Sequence, residues 1–529
     1  MTDLNGSGAD RREISVFAAV VIVVTGIILF VSDAGILLSR PLWVDEVIAA
    51  LIASRPSPVA VLGDLGSGAD GGASLFHVGL WTVRAMTGSL APPLLRLLAL
   101  ACVLMALVLT FAVLRRGFCW PAAAAGALAI GAHGLVIEHS YDARFYGPWL
   151  LGCALLAALF SRREVQPTRR NAIALAMAAV AVCTIHFYGI ITLTLMTVAV
   201  LAAGAPRWRE RIHIVRPAAW GLVSLVVVIP LALAQRRAYT VPSWLPDFRP
   251  SQLGALLSEF WLSRIPVAAA CIIVIATLLR ARHTTIDGPE TFIRAALTRP
   301  GIAALSALAL MPLALAALSL IGQPSMLSRY AIPAALVWAP WVAIAVTLLG
   351  RWAQRIALIV IVCFWFVGYT RAAMVTTAFA QSTAQHVAAF DEARRWQPNT
   401  PVAFVSMHVM YSVLWPARLS DTRAAFVELG DTTFRRWFPD STAVGQANRG
   451  VVLERDLVRV HARRLGFPRM VSHAALDTTA VFFVQGAYSR LPVGFADAMQ
   501  FVRAMFPRHT IRRLDADLLL LERPVPTTK

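Results

Sequence analysis

Pro41-Leu42-Trp43-Val44-Asp45-Glu46 sets two adjacent carboxylates directly after the apolar run from Ile14 to Leu38. That run is long enough to cross a bilayer, which takes ~20 residues, so the acidic pair stands at a membrane face. A carboxylate in that position either sits in headgroup water or faces a cavity, where it is a functional candidate by default. Two neighbouring acids repel, which pushes one of them toward the range of a proton acceptor at neutral pH. Trp43 fits an interface anchor.

Composition extends this reading to the whole chain. Of 529 residues, 58% are hydrophobic and 15% charged, with a mean hydropathy of +0.66, values outside the range of soluble globular proteins. The chain therefore reads as a polytopic membrane protein. A net charge of +19 would direct a soluble protein toward nucleic acid. Here the arginines lie mainly in short loops between apolar segments, where the positive-inside rule accounts for them, and no nucleic acid partner is expected. Cys102, Cys119, Cys153, Cys183, Cys271 and Cys363 lie in or beside apolar runs with no CxxC and no histidine at ligand spacing, which disfavours disulfides and zinc. The first run is too long for a signal-peptide core and no small-x-small site precedes Trp43, so it is expected to be retained.

With Arg11 and Arg12 inside, residues 1–13 form a cytoplasmic N-terminus and the span 14–38 delivers Asp45 and Glu46 to the outer face. In the first external loop, 39–93, the apolar piece from Ser74 to Met86 is too short to span and is expected to lie along the membrane. Spans follow at 94–114, 119–137, 147–160, 171–187, 189–204, 218–234, 265–279, 301–321, 331–349 and 356–375, about 11 in all. This alternation puts Arg115, Arg116, Arg162, Arg163, Arg169 and Arg170 inside. It gathers Asp45, Glu46, His77, Arg96, Glu138, Asp142, Arg144, Tyr146, His186, Tyr188, Arg329 and Tyr330 outside. From about 376 the composition becomes that of a soluble protein, with short apolar runs at Val402 to Val405, Ala480 to Gln485 and Leu518 to Glu522. The expected fold is thus a polytopic α-helical membrane region, 14–375, with an extracytoplasmic α/β domain at 376–529.

Arginine forks suit a phosphate or pyrophosphate, and carboxylates beside them can deprotonate a hydroxyl or hold a divalent cation. A lipid-phosphate substrate held at a membrane face needs both. Trp43-Val44-Asp45-Glu46, Glu138 to Tyr146 (Glu-x-x-x-Asp-Ala-Arg-x-Tyr) and Ser328-Arg329-Tyr330 together resemble the loop motifs of GT-C glycosyltransferases. Among these, the bacterial relatives of protein O-mannosyltransferases and the aminoarabinose transferase of lipid A are the most similar. The resemblance covers residues 14 to 375. It implies a multi-pass enzyme of the bacterial inner membrane that passes a sugar from a polyprenyl-phosphate donor to an acceptor hydroxyl of a cell-envelope glycan, lipid or protein. Asp45 then matches the general base, with Glu46 beside it, and Arg144 and Arg329 match positions near the donor phosphate. Where such proteins carry a Pro-Pro-Leu or His-Pro-Pro segment, this chain has Ala73-Ser74-Leu75-Phe76-His77, a departure that bears on the acceptor.

Direct displacement with inversion at the anomeric carbon fits this set, with membrane lipids as surroundings. A divalent metal, if used, would fall to Asp45, Glu46 and Asp142. Plainer readings stand beside these: interface residues for His77 and His186, a snorkelling Arg96, an aromatic belt of Tyr146, Tyr188 and Tyr330, and a local Asp142–Arg144 ion pair. The alternative function is a lipid-linked sugar flippase. It would need polar groups through the membrane middle, whereas here they crowd at one face.

Overall fold

The computed structural model describes residues 8–31, 35–203, 208–238, 248–261, 289–322, 325–349, 351–415, 421, 424–428, 457–465, 468–485, 498–515 and 518–524. Helix α1 is described over Gly8–Val31, and a turn of helix, α2 (Gly35–Ser39), leads into the first loop. In sequence the polar pair Ser32-Asp33 falls between them.

The first loop is itself helical: α3 (Val44–Ala53), α4 (Pro58–Gly66) and α5 (Ser74–Thr87). Local chemistry starts each of the first two. Trp43 is the extended residue before α3, and Glu46, one turn in, returns its carboxylate to the Trp43 N–H at 3.0 Å. Ser57 accepts from the Ala60 N–H at 3.2 Å, with Pro58 in the first turn of α4. With 14 residues, α5 is about 21 Å long, below the ~30 Å of a hydrocarbon core. Gly88 ends it at φ 70, a left-handed conformation that glycine takes without cost.

The chain continues as the helices α6 (Pro92–Leu114), α7 (Trp120–Gly131), α8 (Gly134–His139), α9 (Tyr146–Val165), α10 (Arg169–Ile185) and α11 (Gly189–Ala202). Later helical stretches run over Trp208–Ala238, Pro300–Ile321, Ser328–Thr347 and Arg351–Trp396. Among the described residues, six helices are long and apolar enough to cross a membrane: those four, α6, and Arg12–Phe30 within α1. The span expected at 265–279 lies outside the described residues. Close packing uses small residues, as is general between membrane helices. A Cβ on Gly147 of α9 would meet the Ala99 carbonyl oxygen of α6 at 2.6 Å.

Polar contacts sort to the two ends of this bundle. At one end Arg115 pairs with Glu13 (2.6 Å), Arg116 donates to the Ser161 carbonyl (2.5 Å), Arg163 to that of His213 (2.7 Å) and Arg211 to that of Thr298 (3.0 Å). At the other end the first loop meets the α8–α9 connection and Arg329, and the α10–α11 tip packs on Phe145, Trp149 and Tyr330. These are the arginine face and the acid face.

The helix Arg351–Trp396 is 46 residues long and passes residue 376 without a break. Beyond it lies a six-stranded sheet: β1 (Val402–Phe404), β2 (Ala424–Glu428), β3 (Met470–Ser472), β4 (Val481–Gln485), β5 (Thr510–Asp515) and β6 (Leu518–Glu522). Its order is β3-β2-β1-β4-β6-β5, parallel from β3 to β4 and closed by an antiparallel β6-β5 edge. The near-continuous apolar runs of β1, β4 and β6 reflect burial on both faces.

Candidate active site

At the start of α3 the two carboxylates part company, because successive helical residues point about 100° apart. Glu46 turns inward and its side chain is 0% exposed. Oε2 accepts from Arg96 Nη2 (2.9 Å) and Oε1 from the Ala143 N–H (2.7 Å), with Arg40 Nη2 at 3.8 Å. Arg96, a residue of α6, also donates from its two terminal nitrogens to the carbonyls of Leu38, Arg40 and Pro41. Arg40 also binds Asp142 Oδ1 (2.7 Å), and Asp142 Oδ2 meets His139 Nδ1 (2.7 Å). Glu46, Arg96, Arg40, Asp142 and His139 form a closed network that ties the first loop to α6 and to the α8–α9 connection. Burial pushes the Glu46 carboxyl up, opposed by Arg96 and Arg40, so repulsion from Asp45 is not the cause. Burial works against ionisation of Asp142 too, but the His139 hydrogen bond and the arginines hold it low.

Asp45 takes the open side, its side chain 29% exposed, with Oδ2 3.8 Å from Arg329 Nη1. The Arg329 guanidinium lies 5.8 Å from the ring centres of both Trp43 and Tyr330. Arg144 Nη1 donates to the Asp45 carbonyl oxygen (2.9 Å) and to Asp70 Oδ2 (2.8 Å), with Nη2 3.4 Å from Asp70 Oδ1. His77 Nε2 reaches the same Asp70 oxygen at 2.8 Å, and its Nδ1 reaches the Ala73 carbonyl at 3.1 Å. Burial alone would raise Asp70, yet Arg144 and His77 hold it well below the usual carboxylate range.

An aromatic wall closes this side. His186 stacks on Trp149 (4.3 Å, 19°) and contacts Phe145, Tyr188 and Tyr330 at 4.4, 5.0 and 5.6 Å. The Tyr188 N–H donates to His186 Nδ1 at 3.1 Å, which leaves the proton on Nε2. Burial, then Arg144 and Arg329, lower His186 to about 3, so the ring is neutral at physiological pH. The Tyr188 hydroxyl donates to Ser325 Oγ (2.7 Å), and Tyr146 packs on His139 and Phe145, each at 4.6 Å.

The structure thus brings Asp45, Arg144, Tyr146, His186, Tyr188, Arg329 and Tyr330 to one cluster, with His77 behind it. Glu46, Arg96 and Asp142 lie next to it but are enclosed. Arg96 does not snorkel: it is 0% exposed and its terminal nitrogens are engaged by Glu46 and three carbonyls. Asp142 pairs with Arg40 and His139, not with Arg144. Glu138 is exposed and lines a separate cavity of about 540 Å³ with Glu259, Arg371 and Phe364. Asp45, Glu46 and Asp142 do not converge as an oxygen cage for a divalent cation, since the latter two spend their oxygens on arginine, histidine and a backbone N–H. Among the described residues there is no group of three or more His, Cys, Asp or Glu side chains placed to hold a metal. Sequence reasoning missed Arg40 and Asp70. For Asp70 a signal existed: it is the lone acid within Gly66-Ser67-Gly68-Ala69-Asp70-Gly71-Gly72.

No family model and no curated protein matches the chain. Solved structures do. The crystal structure of ArnT from Cupriavidus metallidurans bound to undecaprenyl phosphate aligns with a TM-score of 0.56 at 14% identity, covering 97% of this chain and 98% of that one. The apo structure of ArnT from the same organism aligns with a TM-score of 0.59 at 14% identity, covering 96% and 98%. Identity at that level speaks for architecture alone: over nearly its whole length this chain has a fold similar to that of ArnT.

Proposed function

We propose that the chain is an integral membrane glycosyltransferase that moves a sugar from a polyprenyl-phosphate donor to an acceptor hydroxyl of a cell-envelope glycan, lipid or protein. The observation that carries this reading is Asp45: a carboxylate on the open side of α3, 3.8 Å from the Arg329 guanidinium and walled by aromatic rings. Asp45 takes the proton of the acceptor hydroxyl as that oxygen bonds to the anomeric carbon. The anomeric carbon–oxygen bond to phosphate breaks, and its electron pair leaves with the polyprenyl phosphate, whose charge Arg329 neutralises. A single displacement inverts the anomeric carbon. His186, neutral and protonated on Nε2, adds a donor without adding charge. Arg144 has its terminal nitrogens engaged by Asp70 and the Asp45 carbonyl, which fits holding Asp45 in place better than holding phosphate.

The crystal structure of ArnT with undecaprenyl phosphate supports a lipid phosphate as the carrier on the donor side. The reading places the chain in the bacterial inner membrane with the acid face outward and the N-terminus in the cytoplasm, in keeping with the arginine loops at the opposite end. Membranes carrying wild type or Asp45→Asn, matched for insertion, are incubated with radiolabelled polyprenyl-phosphate sugars and endogenous acceptors. Label transferred by wild type and lost in the variant is the expected result. Label that crosses the bilayer without transfer in either would replace this reading with a flippase.

A further inference from the structure

The loop 67–73 runs between α4 and α5 and carries Asp70, the partner of Arg144. Its carbonyls are held from three directions. Gln235, 4% exposed, donates from Nε2 to the Gly72 oxygen at 2.9 Å, and His77 reaches back to that of Ala73 at 3.1 Å. The third tie comes from the far end of the chain. His461, in the helix at 457–465, sets Nε2 2.5 Å from the Ala69 oxygen and Nδ1 2.5 Å from the Tyr411 hydroxyl. Both His461 and Tyr411 are 0% exposed, and Tyr411 lies on the helix Met407–Leu414, which packs against α3.

The proton positions follow from the partners. A carbonyl only accepts, so Nε2 carries the hydrogen, Nδ1 accepts, and the tyrosine donates. Burial keeps His461 at about 4, so this neutral tautomer persists through the physiological range. The contact therefore joins the C-terminal domain to the residue before Asp70: the Tyr411 hydroxyl donates to His461 and His461 to the Ala69 carbonyl, while the neighbouring Asp70 accepts from Arg144, which also donates to the Asp45 carbonyl.

We infer that His461, with Tyr411 behind it, is a positioning residue for transfer: it lets the C-terminal domain complete the active site by fixing the loop that fixes Arg144 and Asp45. The domain then has a task apart from any part in acceptor recognition. The activity arm of the test rests on the transferase reading; the structural arm does not.

Full-length wild type, His461→Phe, His461→Gln and Tyr411→Phe are compared in lipid nanodiscs by hydrogen exchange and by turnover. Glutamine can place an amide donor where Nε2 was and an acceptor where Nδ1 was. In His461→Phe, exchange at 67–73 rises about tenfold while β4 and β6 keep their protection, and kcat falls about tenfold with little change in donor KM, as expected for an unmet buried carbonyl. His461→Gln restores both, and Tyr411→Phe shows a smaller effect of the same kind. Unchanged exchange at 67–73 in His461→Phe overturns the inference, as does exchange that rises equally through β4 and β6, or no rescue by glutamine. Should His461→Phe fail to fold, the same criteria apply to Tyr411→Phe. If the loop responds as stated but wild type transfers from no polyprenyl-phosphate donor, the proposed function falls and the clamp stands.

Discussion

Asp45 and Glu46 are one residue apart and live in opposite surroundings. Glu46 is enclosed with two arginines and two backbone N–H groups, while Asp45 keeps an open side toward Arg329 and the aromatic wall. One network is closed and holds the loop; the other is open and can meet a substrate. An acidic dipeptide at a helix start can therefore supply an anchor and a reactive group at once, provided the helix turns one inward.

The sharpest way to break this comparison is to neutralise the open acid. Asp45→Asn is expected to lower transfer by about 10²–10⁴-fold, the range for removal of a general base, while the melting temperature stays near that of wild type. A variant that unfolds would put Asp45 in the closed network instead.

Glu46→Leu should do the reverse. Arg96 would be left buried without its counter-ion, at a cost of about 3–5 kcal/mol, read by denaturant unfolding in detergent. Leucine at both positions should recover much of that loss, because the penalty lies in the orphaned charge. A double variant as unstable as the single one would show that the network does more than neutralise itself.

The open side also carries a pH signature. The folded-state pKa of His186 is lowered to about 3 and that of His461 to about 4, against about 6.5 for an unperturbed histidine. Below 6.5 the unfolded chain takes up protons that the folded chain refuses, so stability falls as pH drops toward 4. The slope is at most about 1.4 kcal/mol per pH unit for each histidine. His186→Gln should flatten the thermal-shift profile by its share; an unaltered profile would mean that His186 titrates normally. The smallest effect belongs to Glu138→Gln. Glu138 lines a separate cavity, and transfer within about twofold of wild type is expected. A large loss would extend the site across α8.

The apolar helical character of the membrane region and the gathering of polar loops at one face were legible because apolar runs and arginine loops are local signals. Ser74 to Met86 was expected to be too short to span, and the helix it forms, α5, has 14 residues. What sequence could not reveal is which side of a helix each residue takes once the helix is packed. Glu46 meets Arg96 across 50 positions, Arg144 meets Asp70 across 74, and His461 meets Ala69 across 392. None of these pairings has a periodicity to announce it. The boundary at 376 shows a related limit: composition reports the solvent around a segment, whereas the helix Arg351–Trp396 continues wherever its backbone bonds can.

That helix has a geometric consequence. At about 1.5 Å per residue its 46 residues form a rod of about 69 Å, of which a bilayer core accounts for ~30 Å. The remainder is a spindle that fixes both the height and the azimuth of the sheet. One residue inserted into its exposed half would swing the sheet by about 100°, and seven would nearly restore the heading while lifting it about 10 Å. In either case His461 would lose its reach to Ala69, so the length of this rod is tuned to within a single residue.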